Sequence, residues 1–431
     1  MGRAMRGRLV RLADGASGHW VTPSHRQRRR REQDLAAKHI ELAQIRERMG
    51  QPHLNIDLSE LGAGMLDRSE SRSRWRRGNP RAIDLFSGAG GFSTGAQNGG
   101  AKVVWAANHW IEAVDIHRRN HPGTLHLRQD LTDPKLDWTQ VPAHEVMLAS
   151  PSCKGFTRAA GARIKDRDDA RNSAWAVVEA VAYHRPEVFV VENVPEMRQW
   201  DEKDLMAGRR PSRGRDYARW KRVLKSMGYS ITEQIIDAAD AGARMHRKRL
   251  FLVGHRGEPI HIPQPRKKHR SVREVVDLRL TPITRRSMRQ QGAWSPLRPA
   301  SRRRLGKKPL ADRTWNWVMQ GRRDFGDLFV GEYFGSTRTG RSLARPLGSQ
   351  TTKSRYAIVD WKNDRIRMLT PQEIKLAMGF PADYLLPRKK NGEVHAGLAT
   401  AMLGNAVSPP VAEHIMRHIR KELKRVHSRA A

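Results

Sequence analysis

The sequence predicts an α/β fold whose sheet is mostly parallel and doubly wound, with a small module inserted before the C-terminal helices. From Arg81 onward, short apolar runs alternate with helical patterns, as βαβ units require. A glycine-rich turn follows the first apolar run, at a place where α/β folds bind ligands. With 431 residues, 38% of them hydrophobic, the chain is long enough for two or three domains.

Five apolar segments bounded by polar residues are the expected strands. They are AIDLF at 82–86, KVVWAAN at 102–108, HEVMLAS at 144–150, EVFVVENV at 187–194 and RLFLVGH at 249–255. A helix is expected over Ser173 to Tyr183, directly before the fourth of these strands. Nearly continuous apolar runs are typical of strands that are covered on both faces, which favours a parallel sheet.

The texture of the chain divides it into four parts. Residues 1–80 are a basic extension that we expect to be partly disordered, with one helix in EQDLAAKHIELAQIRERMG. Residues 81–256 carry the alternating strands and helices, and residues 257–340 form a separate basic module rich in Pro and Trp. Residues 341–425 return to helical patterning and are expected to rejoin the α/β domain. The extension could be a tether to nucleic acid or a solvated leader.

The charge balance indicates a polyanionic partner. Lys and Arg number 81 against 44 Asp and Glu, a formal net charge of +37. Because phosphates neutralised by such cations release condensed counterions, nucleic acid is the expected partner. The basic N-terminus has no apolar h-region, and no apolar run approaches the length of a bilayer span. Together with the single cysteine, this predicts a cytoplasmic protein, associated with the nucleoid through nucleic-acid binding.

The single cysteine, Cys153 in SPSCKGFTRA, has no partner for an internal disulfide. Taken alone, a free cysteine is usually a small buried hydrophobe. However, it follows an expected strand, and the basic residues Lys154, Arg158 and Arg163 would favour the thiolate. The next strand delivers Glu192 to the same carboxyl edge. A thiol and a carboxyl group at neighbouring strand ends could act as nucleophile and acid.

The glycine-rich turn in AIDLFSGAGGFS contains Gly88, Gly90 and Gly91, which let the chain turn tightly against a ligand. A dinucleotide fingerprint would need a third glycine where Ser93 stands, and an acid about 20 residues on, where His109 stands. NAD binding is therefore disfavoured. A loop of this kind also suits S-adenosylmethionine.

Six segments, in order, resemble the cytosine-C5 DNA methyltransferase family: DLFSGAGGF, SPSCKGFT, ENV, RKR, RMLTPQEIKLAMGFP and GNAVSPPVAEHI. The resemblance runs from about Ala82 to Ile419 and is interrupted by the basic module. It implies the S-adenosylmethionine-dependent methyltransferase fold, with residues 81–256 as the catalytic and cofactor-binding domain and 257–340 as a small target-recognition domain. The implied activity is methylation of carbon 5 of cytosine in duplex DNA.

The resemblance also implies the roles of the catalytic residues. Cys153 would add to carbon 6 of a cytosine that has been flipped out of the duplex, and Glu192 would protonate the ring nitrogen N3. Arg249 would contact the flipped base, Arg247 would support the surroundings of the thiol, and Asn193 belongs to the same ENV segment. Carbon 5 would then take the methyl group of S-adenosylmethionine.

Two further sets of residues follow from the resemblance. S-adenosyl-L-methionine would be bound by the glycine loop, by later turns and by a C-terminal helix, through Asp84, Phe86, Gly88, Gly90, Gly91, His109, Trp110, Asp130, Leu131 and Asn405. A catalytic loop over Lys154 to Asn172 would contact DNA through Lys154, Thr157, Arg158 and Arg171. No metal site and no membrane contact are implied, and a monomer is expected.

Three residues depart from the family pattern. Ser152 replaces the second proline of proline-proline-cysteine and is expected to loosen that turn, His109 replaces the acid that binds ribose, and Met245 replaces the glutamine of Q-x-R-x-R. Two alternative functions stay open: transfer to cytosine in RNA such as tRNA, and DNA binding without catalysis on the same fold. Retention of Cys153 and Glu192 argues against the second, because a pure binder has no use for the thiol.

Overall fold

The computed structural model describes residues 78–133, 136–156, 164–201, 213–279, 292–334 and 337–429. The helix expected in the basic extension lies outside these ranges, and so do Thr157 and Arg158 of the expected catalytic loop. None of the described helices combines the length and the apolar character that crossing a bilayer requires.

A sheet of seven strands organises the larger part of the described chain. Its strands are β1 Arg81–Leu85, β2 Lys102–Asn108, β3 Leu125–Arg128, β4 Val146–Ala149, β5 Val188–Asn193, β6 Ser230–Asp237 and β7 Lys248–His255. Their spatial order is β3-β2-β1-β4-β5-β7-β6. β1 to β5 pair in parallel, whereas β7 lies antiparallel between β5 and β6. The predicted mostly parallel sheet is confirmed, and it contains all five expected strands.

The sequence pattern does not predict β3 and β6, which form the two edges of this sheet. β3 is the four-residue segment LHLR, whose side chains are partly or fully exposed. β6, SITEQIID, is polar and partly exposed through most of its length. An edge strand has one neighbour and little buried surface, so it lacks the continuous apolar run that identifies a buried strand.

Helices cover both faces of the sheet. The described helices are α1 Gly91–Asn98, α2 Ile111–Asn120, α3 Ile164–His184, α4 Arg215–Ser226, α5 Pro299–Arg304, α6 Asp312–Phe325, α7 Pro371–Ala377, α8 Ala396–Asn405 and α9 Pro409–Arg429. α3 and α4 pack on one face, where the indole N–H of Trp220 donates to the carbonyl of Ala174 at 2.9 Å. α1 and α9 pack on the opposite face. Both faces are therefore buried, as a doubly wound sheet requires.

The C-terminal helix α9 returns to the first helix of the chain's α/β domain. α1 contains Gly95, where an added Cβ would collide with the carbonyl of Pro409 and the side chain of Ala412. The absence of a side chain at Gly95 thus lets the two helices approach closely. This contact places the end of α8 and the start of α9 beside the glycine loop.

A second, antiparallel sheet consists of β8 Ser295–Pro296, β9 Leu328–Glu332, β10 Tyr356–Asp360 and β11 Arg365–Met368, in the order β8-β11-β10-β9. α6 packs on it through Trp317 and Val318, which share a hydrophobic cluster with Phe329. Two of its strands follow residue 340, the expected end of the basic module. The sheet therefore continues into the returning segment, while the division into four domains stays a prediction.

Candidate active site

The thiol lies in the turn that follows β4. Cys153 is partly buried, and the turn before it is tied at two points. The side-chain amide of Asn193 donates to the carbonyl of Pro151 at 3.1 Å. The backbone N–H of Ser152 donates to the hydroxyl of Ser173 on α3 at 3.0 Å. A proline at position 152 could not make this bond, so Ser152 adds a tie between the turn and α3, and the looser turn expected from loss of the proline stays a prediction.

Glu192 and Arg249 form a buried ion pair across β5 and β7, with Nε of Arg249 3.2 Å from Oε1 of Glu192. The Glu192 side chain is 9% exposed. Burial raises the pKa of its carboxyl group above the ordinary value, although Arg249 and then Arg247 lower it. A carboxyl group with a raised pKa keeps its proton to higher pH, as donation to a ring nitrogen requires.

The charges that act on the thiol come from other strands. Burial raises the pKa of Cys153 above its ordinary value, Arg249 lowers it, Glu192 raises it and Arg247 lowers it, and the net direction is upward. The resting form is therefore the thiol. The expectation that sequence neighbours favour the thiolate is corrected for Lys154, which is exposed and not among these main contributors. The other two cations of that expectation lie outside the described residues.

Arg247 joins three separate parts of the chain. Its buried guanidinium group donates to the carbonyl of Gln350 at 3.2 Å and to the carbonyl of Gly404 at 2.9 Å. Its backbone N–H donates to the carboxylate of Asp237 at 2.9 Å. Burial lowers the pKa of Arg247 to about 9. Because Gly404 precedes Asn405, this arginine links the catalytic edge to helix α8; sequence reasoning missed Asp237 and Gln350.

The three glycines of the loop between β1 and α1 differ in the space around them. Gly88 has a φ of 52°, and an added Cβ would meet just one backbone oxygen, at 4.0 Å. A Cβ on Gly90 would lie 2.6 Å from the Tyr384 hydroxyl oxygen, and one on Gly91 would collide with the carbonyl oxygen of Val407. Gly88 is thus the one with room for a ligand, whereas the other two have a packing reason to be glycine.

Tyr384 supports this loop from behind, a role that sequence reasoning missed. Its hydroxyl group donates to the carbonyl of Ala89 and lies 3.4 Å from Nε2 of His121. The ammonium group of Lys375 on α7 is buried and donates to the carbonyls of Ala382, at 2.7 Å, and Tyr384, at 2.9 Å. Lys375 therefore fixes the segment that carries Tyr384, and Tyr384 fixes the loop.

Most of the other cofactor candidates lie at the carboxyl ends of three adjacent strands. Phe86 follows β1, and His109 and Trp110 follow β2. Asp130 and Leu131 follow β3. Asp130 and His109 are exposed, Phe86 and Trp110 are partly buried, and Leu131 is buried. Aromatic faces beside an exposed carboxylate, next to the open side of the glycine loop, fit a molecule with a flat ring and hydrogen-bond donors.

Helix α8 reaches the same edge. Met402 of α8 packs with Ala89 of the glycine loop and with Trp110. Asn405, the last residue of α8, is exposed there. Asp84 is instead completely buried within β1, beneath the loop. The structure thus brings the cofactor candidates of four segments to one edge, with Asp84 below the surface.

Of the DNA-contact candidates, Lys154 is exposed beside Cys153 and Arg171 is partly exposed on α3. Thr157 and Arg158 lie outside the described ranges. Within those ranges, His, Cys, Asp and Glu side chains form no group of three or more that could hold a metal ion.

The strand order, with one antiparallel strand between β5 and β6, and the thiol, carboxyl and guanidinium groups at the carboxyl edge define an α/β enzyme of the methyltransferase class. More particularly, a family model for C-5 cytosine-specific DNA methylases matches residues 81–421. The chain belongs to this family and is a DNA (cytosine-5-)-methyltransferase by descent.

Known relatives agree with this assignment. The chain is similar to the type II methyltransferase M.SsoII of Shigella sonnei, with 23% identity over 354 residues, which cover 79% of this chain and 80% of the relative. It is also similar to the type II methyltransferase M.MspI of Moraxella sp, with 23% identity over 400 residues, which cover 92% and 84%.

Two solved structures share the fold. Methyltransferase EhMeth of Entamoeba histolytica matches with a TM-score of 0.52 and 16% identity, over 80% of this chain and 99% of that one. DNMT2 of Spodoptera frugiperda matches with a TM-score of 0.51 and 14% identity, over 79% and 99%.

Proposed function

We propose that this protein transfers a methyl group from S-adenosyl-L-methionine to carbon 5 of a flipped cytosine in duplex DNA, through a covalent bond between Cys153 and the base. One observation carries the proposal. The thiol lies where Arg249, Glu192 and Arg247 act on it electrostatically, at a sheet edge that also carries the open side of Gly88. The family and the type II relatives support DNA as the substrate and a role in restriction-modification.

In the proposed reaction Cys153 is the nucleophile and Glu192 is the general acid. The sulfur of Cys153, after losing its proton, forms a bond to carbon 6, and Glu192 gives a proton to N3, so that the ring does not accumulate negative charge. Carbon 5 becomes nucleophilic as a result. Arg249, paired with Glu192 at 3.2 Å, orients the carboxyl group and donates toward the base. Once carbon 5 has taken the methyl group, loss of its proton, return of the N3 proton to Glu192 and elimination of the sulfur as the thiolate restore the free enzyme.

A cytosine inside a duplex cannot reach this edge, so the base must leave the stack at a cost of about a few kcal/mol. Lys154 and Arg171, together with Thr157 and Arg158, are proposed to contact the phosphates around the emptied position. The second sheet with its basic module would contact the surrounding sequence as a target-recognition domain, with the protein acting as a monomer on DNA. The strong excess of Lys and Arg supports this partner.

The proposed cofactor site uses chain segments from both ends of the family region. S-adenosylmethionine supplies the methyl group, as an electrophilic sulfonium compound. Phe86 and Trp110 would enclose the adenine ring, Asp130 would accept hydrogen bonds at the adenine edge, and Asn405 would close the site from α8. Gly88 leaves room for the ligand beside the backbone. Since His109 is no carboxylate, the ribose hydroxyls would be held differently here from the family pattern.

Methyl transfer from labelled S-adenosylmethionine to duplex DNA, and in parallel to tRNA, tests the proposal. We expect 5-methylcytosine in DNA, none in tRNA, and no product with Cys153→Ala. Ser152→Ala is the matched control, because it changes the neighbouring residue and keeps the N–H bonded to Ser173. Methylation of tRNA alone would identify RNA as the substrate, and absence of product on both would indicate a protein that binds without catalysis.

The covalent step has its own test. DNA with 5-fluorocytosine at the target position cannot lose a proton from carbon 5, so the adduct with Cys153 should persist and migrate as a protein–DNA complex under denaturing conditions. Activity without any trapped complex would argue against the covalent route.

A further inference from the structure

A row of four polar side chains lies behind the glycine loop. The Ser93 hydroxyl donates to Oδ2 of Asp84 at 2.6 Å, and Nε2 of His117 lies 3.0 Å from the Ser93 oxygen. On the other side of the imidazole ring, Nδ1 of His117 lies 2.8 Å from Nε2 of His126. Asp84, Ser93 and His117 are completely buried, whereas His126 on β3 is partly exposed. The row therefore joins a carboxyl group in the core to the protein surface.

The protons in this row can be assigned by counting donors. When Asp84 is ionised, Ser93 gives its one hydroxyl proton to it, and the Ser93 oxygen then accepts from Nε2–H of His117. In that form Nδ1 of His117 lacks a proton and accepts from Nε2–H of His126. Burial holds the pKa of His117 well below its ordinary value, so that its ring is neutral. This order of donors stabilises the ionised form of Asp84.

Asp84 nevertheless has no counter-charge in the part of the chain that the structure describes. Its Oδ1 is buried without a hydrogen-bond partner there. Burial raises its pKa from 3.8 to about 7, and the bond from Ser93 lowers it. A buried carboxylate that lacks a paired cation is costly, and in a poorly polarisable interior a positive charge stabilises it over several ångströms.

The elements packed around the row add no cation beside Asp84. β2 and β4, which flank β1, place Ala106 and Leu148 in register with Asp84, and neither of them titrates. Burial lowers the pKa of His121 to about 4 and raises the pKa of Tyr384, so both are neutral near pH 7. The one further charged group that acts on the described row is Arg118 of α2, which lowers the pKa of His126 at the surface end.

The ligand of the proposed function has the charge that is missing. S-adenosylmethionine is a net cation near neutral pH, because its sulfonium and ammonium groups outnumber its one carboxylate, while its demethylated thioether product has no net charge. We propose, resting on the proposed function, that Asp84 becomes the buried counter-charge of the cationic cofactor, that it gives up a proton when the cofactor binds, and that the rest of the row stabilises the carboxylate so formed. Ser93, His117 and His126 form the path of that proton to solvent.

Calorimetric titration in buffers of different ionisation enthalpy measures the released proton directly, without any turnover. If binding lowers the pKa of Asp84 from about 7 by about one unit, we expect S-adenosylmethionine to release about half a proton near about pH 6.5, and its affinity to rise about sixfold from about pH 5.5 to about 7.5. The thioether S-adenosylhomocysteine should release much less and bind with little pH dependence. Asp84→Asn should abolish the difference between the two ligands.

Substitutions of His126, the partly exposed residue of the row, test the proposal without changing the buried core. His126→Leu removes the N–H that His117 accepts, so the pH midpoint of proton release should move upward. His126→Gln keeps an N–H donor and should restore the midpoint toward its original value. Cofactor binding without proton release, equal release with the thioether, or identical midpoints for the two His126 variants would overturn the inference. Binding of neither ligand at any pH would instead overturn the proposed function, so the two failures are distinguishable.

Discussion

Substitution of single glycines by alanine in the glycine loop can distinguish a packing role from a role in ligand binding. Gly91→Ala adds a methyl group that would lie closer than 3.0 Å to the carbonyl oxygen of Val407 and 3.1 Å from Cζ of Phe380. Val407 and Phe380 are buried, so neither can withdraw cheaply. Overpacking of this kind costs about 1–3 kcal/mol. Gly91 is the first residue of α1, where the gain of alanine over glycine in a helix interior does not apply, so we expect the free energy of unfolding to fall by about 1–3 kcal/mol.

Gly88→Ala should behave differently. Its φ of 52° is left-handed, which costs alanine about 1–2 kcal/mol, but the added methyl group would meet no protein atom closer than 4.0 Å. The methyl group would instead fill the space proposed for the cofactor, so we expect an affinity loss of about tenfold or more, which is at least about 1.4 kcal/mol. Gly228→Ala is the matched control, because Gly228 has a φ of 85° with no atom within 4 Å and follows α4, away from the loop.

Urea unfolding gives the free energy of unfolding for each variant, and calorimetric titration with S-adenosylmethionine gives its affinity. The expected pattern is a large affinity loss relative to the stability loss for Gly88→Ala, a small one for Gly91→Ala and almost none for Gly228→Ala. A Gly91→Ala protein as stable as the parent would refute the packing argument. A Gly88→Ala protein with unchanged affinity would refute the proposed ligand position.

Three further outcomes are expected from single substitutions. Glu192→Gln should lower kcat by about 10²–10⁴-fold, and the loss of parental activity as pH rises through the raised pKa of Glu192 should be absent from the variant's pH profile. Tyr384→Phe removes the bond to the Ala89 carbonyl and should lower the free energy of unfolding by about 1 kcal/mol in urea, raising the cofactor KM more than it lowers kcat. Burial raises the pKa of Asp84 from 3.8 to about 7, so between these values the folded protein holds a proton that the unfolded chain does not. The free energy of unfolding should therefore fall by up to about 4 kcal/mol as pH rises across that interval. Urea unfolding of Asp84→Asn at both ends of the interval should show no such fall.

The interior of the sheet could be predicted because burial on both faces leaves unbroken apolar runs such as VFVV in β5. The direction of β7 could not be predicted, because it depends on the neighbouring strand β6. The polar sequence of β6 does not identify it as a strand. Once β6 is known, the direction follows: residues 238–247 are too few for the crossover helix that a parallel pair needs, and suffice for an antiparallel return.

The same reversal explains which site residues the sequence could reveal. Cys153 and Glu192 follow or end parallel strands, and the carboxyl ends of parallel strands meet at one edge, so their proximity could be inferred. Arg249 lies near the start of β7 and reaches that edge because β7 runs the opposite way. The local search for cations around the thiol therefore favoured Lys154, whereas the contributing guanidinium groups come from nearly one hundred residues further along the chain.

The hydrogen bonds of the Arg247 guanidinium group are contacts that the sequence could not predict. Both acceptors are backbone carbonyls, those of Gln350 and Gly404, and every residue has one, so the acceptor's identity carries no information. Gly404 is an indirect exception. Glycine inside a helix costs about 0.5–1 kcal/mol relative to alanine, and here a Cβ would lie 2.5 Å from the carbonyl carbon and oxygen of Thr351. The glycine therefore marks the point where the segment around Gln350 must lie against α8, so that Arg247 can donate to both carbonyl groups. Among the contacts of the Arg247 guanidinium group, it is the one feature that the sequence could indicate.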